Sequence, residues 1–248
     1  MSKLPIHVYD PGHGGADPGA VARGFGLREK DLNLFIARRA RETAMANYEV
    51  DVRLTRDSDT TMDLKARTDF ANKLSAALLV SFHVNAGGGT GYEDFIHINL
   101  LDSSLTARLR QAYHLEVSKF LAQRKIRNRG MKKQNFHMLR ESKMPAILNE
   151  TLFIDHAEDQ KQLAQESFLI AIADCYAHAL CKAAGLKPRV KAKPEPAPAP
   201  KLTGQVALHR VIVDGAQIGA WSNMSFLLRN VEKALESGAK EVKIEPVK

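Results

Sequence analysis

Two histidines and two glutamates are the residues of this 248-residue chain whose types and spacing could do chemistry. His13 lies in Asp10-Pro11-Gly12-His13-Gly14-Gly15-Ala16-Asp17-Pro18-Gly19, directly after a short apolar run from Ile6 to Tyr9. Four glycines and two prolines in ten residues exclude a helix or a strand interior, since glycine permits φ > 0 and proline stops regular structure. His83 follows a second apolar run, Ala77 to Phe82, Glu150 sits inside a third, Ile147 to Thr151, and Glu29 stands just across the glycine loop from His13. Two histidines and a carboxylate form a catalytic zinc set with one position left for water. A lone carboxylate within an apolar strand, as at Glu150, is costly without a function. The residue types do not by themselves say which glutamate binds a metal and which carries a proton.

The elements that must position these groups follow from periodicity. Ile6 to Tyr9, Val50 to Leu54, Ala77 to Phe82, Glu93 to Ile98 and Ile147 to Thr151 read as strands; the uninterrupted apolar run at 77–82 reads as one buried on both faces. Glu29 to Ala46 repeats Leu32, Phe35, Ile36, Ala40 and Ala44 at helical steps, with Glu29 and Asp31 at its positive end. Asp63 to Leu74 is a second helix, with Leu64, Arg67, Phe70 and Ala71 in step, and Leu105 to Leu121 a third. Asp159 to Leu180 is a long closing helix. Ile126 to Lys133 reads as a basic loop, and His137 to Leu139 as a short strand. Alternating strands and helices predict an α/β domain: a twisted, largely parallel sheet flanked by helices. Such a sheet gathers ligand-binding residues at the carboxyl ends of its strands, where His13, His83 and Glu150 fall.

That domain is expected to span residues 1–185. Residues 186–201, with prolines alternating with Ala, Glu and Lys, read as a semi-rigid spacer. Residues 202–248 read as a small α+β module of ββαβ order: strands Val206 to Val213 and Gln217 to Trp221 about an Asp214-Gly215 turn, a helix from Ser222 or Asn223 to Glu236, and a strand Glu241 to Glu245. A module this small is near the limit of independent stability, so it is expected to dimerise or to be unusually well packed. The formal charge is +8, and residues 186–201 carry half of it, with five Lys or Arg against one Glu. This favours a polyanionic partner: nucleic acid, an anionic membrane or an anionic wall. No aromatic interleaves the basic stretch Arg124 to Lys133, which weighs against single-stranded nucleic acid. No apolar run reaches the ~18 residues of a transmembrane helix. The first residues, Met1 to His7, lack a signal-peptide apolar region, so synthesis in the cytoplasm is expected, with release by other means. Cys175 and Cys181, six positions apart on a helix, are about 9 Å apart in rise, too far for a disulfide.

The chain resembles the zinc-dependent N-acetylmuramoyl-L-alanine amidases. The resemblance rests on four blocks in order: Asp10 to Gly15 (Asp-Pro-Gly-His-Gly-Gly), Glu29, Ser81-Phe82-His83-Val84-Asn85, and Pro145-Ala146-Ile147-Leu148-Asn149-Glu150. Gly130-Met131-Lys132 and Phe136 to Arg140 resemble the segment that precedes the last block. The resemblance implies that His13, Glu29 and His83 bind Zn2+, that Glu150 is the catalytic carboxylate, and that the substrate is peptidoglycan, cut between N-acetylmuramic acid and L-alanine. The chain departs from the family in one place: Glu150-Thr151-Leu152-Phe153 stands where Glu-x-Gly-Phe is usual, which questions the turn after Glu150.

In the mechanism that follows, zinc acidifies a water, Glu150 takes its proton, and the same carboxyl protonates the departing amine. Asn85 and Glu93 are weaker substrate-side candidates, and His137 and His156 weaker still. Trp221 reads as a core anchor of the small module. The whole reads as a modular wall hydrolase whose small module raises the effective substrate concentration while the basic spacer meets anionic wall polymers. A phage endolysin is favoured over a bacterial autolysin. The alternatives are a zinc peptidase acting on stem-peptide bonds and a wall-binding protein without catalysis.

Overall fold

Apolar runs of strand length alternate with amphipathic helices through the first 190 or so residues, and each helix must bury its apolar stripe on a sheet face. The computed structural model describes residues 3–22, 26–189, 209–221, 231, 235 and 239–246. The described elements in order are β1 (Ile6–Pro11), β2 (Val21–Ala22), β3 (Leu27–Arg28), α1 (Glu29–Asn47), β4 (Asp51–Leu54), α2 (Leu64–Lys73), β5 (Leu78–Asn85), β6 (Tyr92–His97), α3 (Leu105–Gln123), β7 (Asn128–Gln134), α4 (His137–Arg140), β8 (Ala146–Phe153), α5 (Ala157–Leu163), α6 (Glu166–Ala183), β9 (His209–Val213), β10 (Ala216–Trp221) and β11 (Val242–Pro246). They fall into two compact units, Met1–Lys191 and Ala192–Lys248.

The larger unit is built on a six-stranded sheet of order β4-β1-β5-β8-β6-β7. Strands β4, β1, β5 and β8 run parallel. β6 turns antiparallel to β8, and β7 runs parallel to β6. The sheet is therefore the largely parallel one expected. One face, with Val80, Phe82, Ile147 and Tyr92, packs on α1, α3 and α6 through Ile36, Val117 and Tyr176. The other face, with Val8, Leu79, Leu148 and Phe95, packs on Ala71 of α2 and on Met138 and Leu139 of α4. This second layer is the thinner, because its helices are ten and four residues long.

Four local expectations give way to the tertiary context. The apolar run at 77–82 continues as strand through Asn85, so His83 lies within β5 rather than after it. The basic stretch expected as a loop forms β7, an edge strand. Its ladder is made by backbone groups, so no apolar alternation advertises it. His137 to Leu139 closes into the single turn α4, with Met138 and Leu139 buried; three residues are too few to show a period. The closing helix breaks at Gln165, whose backbone is extended at φ −93°, ψ 113°, and no glycine or proline marks the break.

In the smaller unit β9 is flanked by β10 and β11, both antiparallel to it. Asp214 and Gly215 have φ of 47° and 85°, the twin positive values of a type I′ hairpin turn. Most of the helix expected between Ser222 and Glu236, all but Val231 and Leu235, lies outside the described residues, as do most of the 186–201 spacer and the side chain of Trp221. Cys175 and Cys181 are both in α6 and unpaired.

Candidate metal centre and active site

His13 sits in the loop that leaves β1, with φ 60°, a left-handed backbone that costs a non-glycine residue about 1–2 kcal/mol. Two buried arginines hold it there. Arg67 of α2 donates to the carbonyls of Pro11 (2.7 Å) and His13 (2.6 Å) and pairs with Asp10 (2.9 Å). Arg56 donates to the carbonyls of Pro11 (3.0 Å) and Gly12 (2.9 Å). Asp10, 1% exposed, also accepts the hydroxyls of Thr55 and Ser81. The loop is thus bolted to α2 and to the neighbouring strand.

Glu29 is the first residue of α1 and is 5% exposed. Its Oε2 accepts the Ala20 N–H at 2.9 Å, and its Oε1 accepts the Val84 N–H at 3.2 Å. His83 arrives from β5. Gly12 makes room for it: a Cβ on Gly12 would meet the His83 ring at 2.1 Å, so only glycine fits there.

These three side chains converge. Glu29 Oε1 is 3.2 Å from His13 Nε2 and 3.0 Å from His83 Nδ1. One ligating atom from each lies within 4.8 Å of the others, the single such group of three among the described residues. The donor set fits a divalent metal. His13 Nδ1 donates to Asp17 Oδ2 at 2.7 Å, which leaves the Nε2 lone pair facing inward, the carboxylate–histidine arrangement that orients a metal-bound imidazole. Two nitrogen lone pairs and a carboxylate oxygen pointing at one spot repel one another unless a cation sits among them. Bond lengths of about 2.0–2.2 Å to a tetrahedral metal put neighbouring donors about 3.3 Å apart, close to the separations found. Without a metal the positive charge must come from protons. The Glu29 hydrogen bond raises His13 to about 9 against the pull of burial. Burial alone would raise Glu29, but His13 and His83 hold it far below the usual carboxylate range.

Glu150 lies beside this cluster. It faces His83 across the parallel β5–β8 pair and Glu93 across the antiparallel β8–β6 pair, so the three side chains share one sheet face. Burial raises its carboxyl to about 7. No described residue hydrogen-bonds that carboxyl. A cleft of about 750 Å³ opens beside the cluster, lined by His13, Asp17, Leu64, Arg67, His83 and His137, among others.

The unusual turn after Glu150 forms with leucine in it. Leu152 has φ 64° and is 1% exposed, so it takes the left-handed conformation a glycine would adopt freely. The β5–β8 register shifts there, with Asn85 pairing Phe153.

Of the weaker candidates, Asn85 donates to Glu93 Oε1 at 2.7 Å. Glu93 Oε2 accepts from Arg129 at 2.6 Å and from Lys132. Both Glu93 oxygens are thus engaged within the protein. His137 lines the cleft, and His156 caps α5, accepting the Asp159 N–H. Sequence reasoning passed over Asp17, Arg56 and Arg67, which orient His13, and Arg129 and Lys132. One signal was available for Arg67: a charged residue in step with the apolar stripe Leu64, Phe70 and Ala71.

Residues 8–182 match the family model described as N-acetylmuramoyl-L-alanine amidase. The chain is 42% identical over 178 residues to the N-acetylmuramoyl-L-alanine amidase CwlM of Bacillus licheniformis, covering 71% of this chain and 68% of that protein. It is 38% identical over 188 residues to the endolysin of Bacillus phage SPP1, covering 75% and 68%. Among solved structures, an N-acetylmuramoyl-L-alanine amidase from Clostridium difficile 630 superposes with a TM-score of 0.67 at 32% identity, over 74% of this chain and 98% of that one.

Proposed function

Because this chain belongs to the N-acetylmuramoyl-L-alanine amidase family and hydrolyses the amide between N-acetylmuramic acid and L-alanine in peptidoglycan, we propose that it does so as a zinc hydrolase. His13, Glu29 and His83 hold the metal, and Glu150 moves the proton. The observation that carries this reading is the convergence of those three donor atoms within 4.8 Å with Glu150 in register beside His83. Zinc held there supplies Lewis acidity to a water and to the amide oxygen. Glu150 accepts the proton of the attacking water, the general-base role open to a carboxylate beside the metal donors. It then returns that proton to the nitrogen of L-alanine, without which the amine cannot leave. Asp17 keeps the His13 imidazole in one tautomer, and Arg67 and Arg56 keep its loop in place.

The setting is wall lysis. The likeness to a phage endolysin supports the lysin reading, and the likeness to Bacillus amidases supports a bacterial autolysin as the alternative. The smaller unit and the basic spacer serve as a wall-targeting arm, the spacer's excess positive charge suiting anionic wall polymers. Mass spectrometry of digested peptidoglycan, with and without residues 186–248, tests this reading. Amidase action frees L-alanine amines and leaves intact glycan strands. Cleavage within the stem peptide would instead favour a zinc peptidase at the same site. Equal rates for the two forms on whole walls would remove the targeting role.

A further inference from the structure

The row of side chains that begins at His83 does not end at Glu150. Glu93 is next on the same face, and beyond it lies the edge strand β7. Tyr92 pairs with Asn128, but Asp94 pairs with Met131, so β7 carries one extra residue opposite Glu93. Gly130, at φ 86°, supplies the positive φ of that bulge. Bulges of this kind re-aim a side chain, and here the neighbour is Arg129. Arg129 Nε is bound to Glu93 Oε2 at 2.6 Å, and its guanidinium lies 4.9 Å from the centre of the Phe153 ring. The stem and one edge of the guanidinium are therefore fixed. Its two terminal nitrogens have no hydrogen-bond partner among the described residues. Lys132 reaches the same Glu93 oxygen. One carboxylate thus faces two cations, leaving a net positive charge at β7, three strands from His83 and separated from Glu150 by β6.

That charge has a natural counterpart in the substrate. The glycan strand is neutral near the scissile bond, because its sugars are N-acetylated and the lactyl carboxyl is the one tied up in the amide. The stem peptide carries free carboxylates. We infer that Arg129, assisted by Lys132, binds the free α-carboxylate of the second residue of the stem peptide, on the amine side of the scissile amide, and so sets which way the substrate lies across the site. This rests on the amidase reading of the same site. A planar guanidinium with its outer edge open matches a carboxylate through two parallel hydrogen bonds. Glu150 repels a carboxylate placed inward of Glu93, which leaves the Arg129 side as the favourable one. The cleft beside the metal cluster has an apolar wall at Met62, Leu64 and Met138, which suits the sugar ring and its acetyl group.

The test uses the full chain loaded with zinc and two soluble substrates, N-acetylmuramoyl-L-alanyl-D-glutamate and its D-isoglutamine counterpart, which differ only in whether the α-carboxyl is a free carboxylate or an amide. The wild-type protein is expected to prefer the acid by about tenfold in kcat/KM, a difference carried by KM, as one charge-assisted contact provides. In Arg129→Gln that ratio falls to about one, and Arg129→Lys keeps part of it. A role confined to bracing Glu93 would slow both substrates alike and leave the ratio intact, and that result overturns the inference. Product inhibition needs no variant: L-alanyl-D-glutamate should inhibit the wild-type protein about tenfold more strongly than L-alanyl-D-isoglutamine, and equal inhibition overturns the inference too. If neither substrate is cut while whole walls are opened at another bond, the amidase reading falls and this inference with it.

Discussion

His83 and Glu150 stand opposite each other in register on the adjacent parallel strands β5 and β8, 67 positions apart in sequence. One is a donor of the candidate metal cluster, and the other is a carboxyl raised to about 7 by burial. The ladder fixes the separation of their backbones, so only the side-chain rotamers are left to set the distance between imidazole and carboxyl. This is the rigid placement a proton carrier needs beside the groups it serves.

Glu150→Gln removes the proton carrier and leaves the donor set alone. Zinc content, measured by elemental analysis, should stay at the wild-type level, while release of L-alanine amines falls by about 10²–10⁴-fold. Wild-type turnover in this variant would remove Glu150 from the mechanism.

The same residue makes the metal-free protein pH-dependent. Its folded-state carboxyl is raised to about 7 from 4.5, so its contribution to stability is fully present below pH 4.5 and is lost as pH climbs through 7. Above that the folded state bears a buried charge costing up to about 3 kcal/mol. Metal-free Glu150→Gln should therefore melt several degrees higher than metal-free wild type at pH 8 and show little difference at pH 4. An unchanged difference across that range in calorimetry would refute the buried charge.

Metal removal should abolish activity, and stoichiometric zinc should restore it. In His13→Ala or His83→Ala one of three donors is gone, so chelator competition should report a large loss of zinc affinity and added zinc should not rescue turnover at micromolar levels. Full rescue of both variants at such levels would exclude these residues as ligands.

Arg67 touches no donor atom, yet it holds the carbonyls of Pro11 and His13 and pairs with Asp10. Arg67→Ala leaves the buried Asp10 carboxylate short of its cation, a loss of about 3–5 kcal/mol, visible as a lower Tm. Zinc affinity should fall by about 10–100-fold, the scale for groups that orient metal ligands. A zinc affinity equal to wild type would show that the His13 loop keeps its shape unaided.

Leu152→Gly sets two effects against each other. It relieves a left-handed backbone worth about 1–2 kcal/mol and removes a fully buried side chain worth about 3–5 kcal/mol with its cavity. Burial wins, so thermal unfolding should show a net loss of roughly 1–4 kcal/mol. A gain in stability would mean that leucine is tolerated at this position rather than used.

Much of this was legible in the residues. The glycine loop around His13, the continuous apolar run before His83 and the helix opened by Glu29 each announce their local structure, because composition and period act over a few neighbours. The β7 strand, the α4 turn and the break at Gln165 were not legible. Each is decided by a partner elsewhere: β6 for β7, the sheet face for α4, the packing of α5 and α6 for the break.

The amino-acid sequence by itself determined which chemistry-bearing side chains exist, their order, and the kind of element each rides on. Only the tertiary structure decided that His13, Glu29 and His83 meet within 4.8 Å, that Glu150 sits between His83 and Glu93, and that Asp10 is the anchor of Arg67. The reason is physical. Periodicity records only how a segment divides between core and water, whereas distances across a sheet are set by strand order and register, which arise from all the segments packing at once.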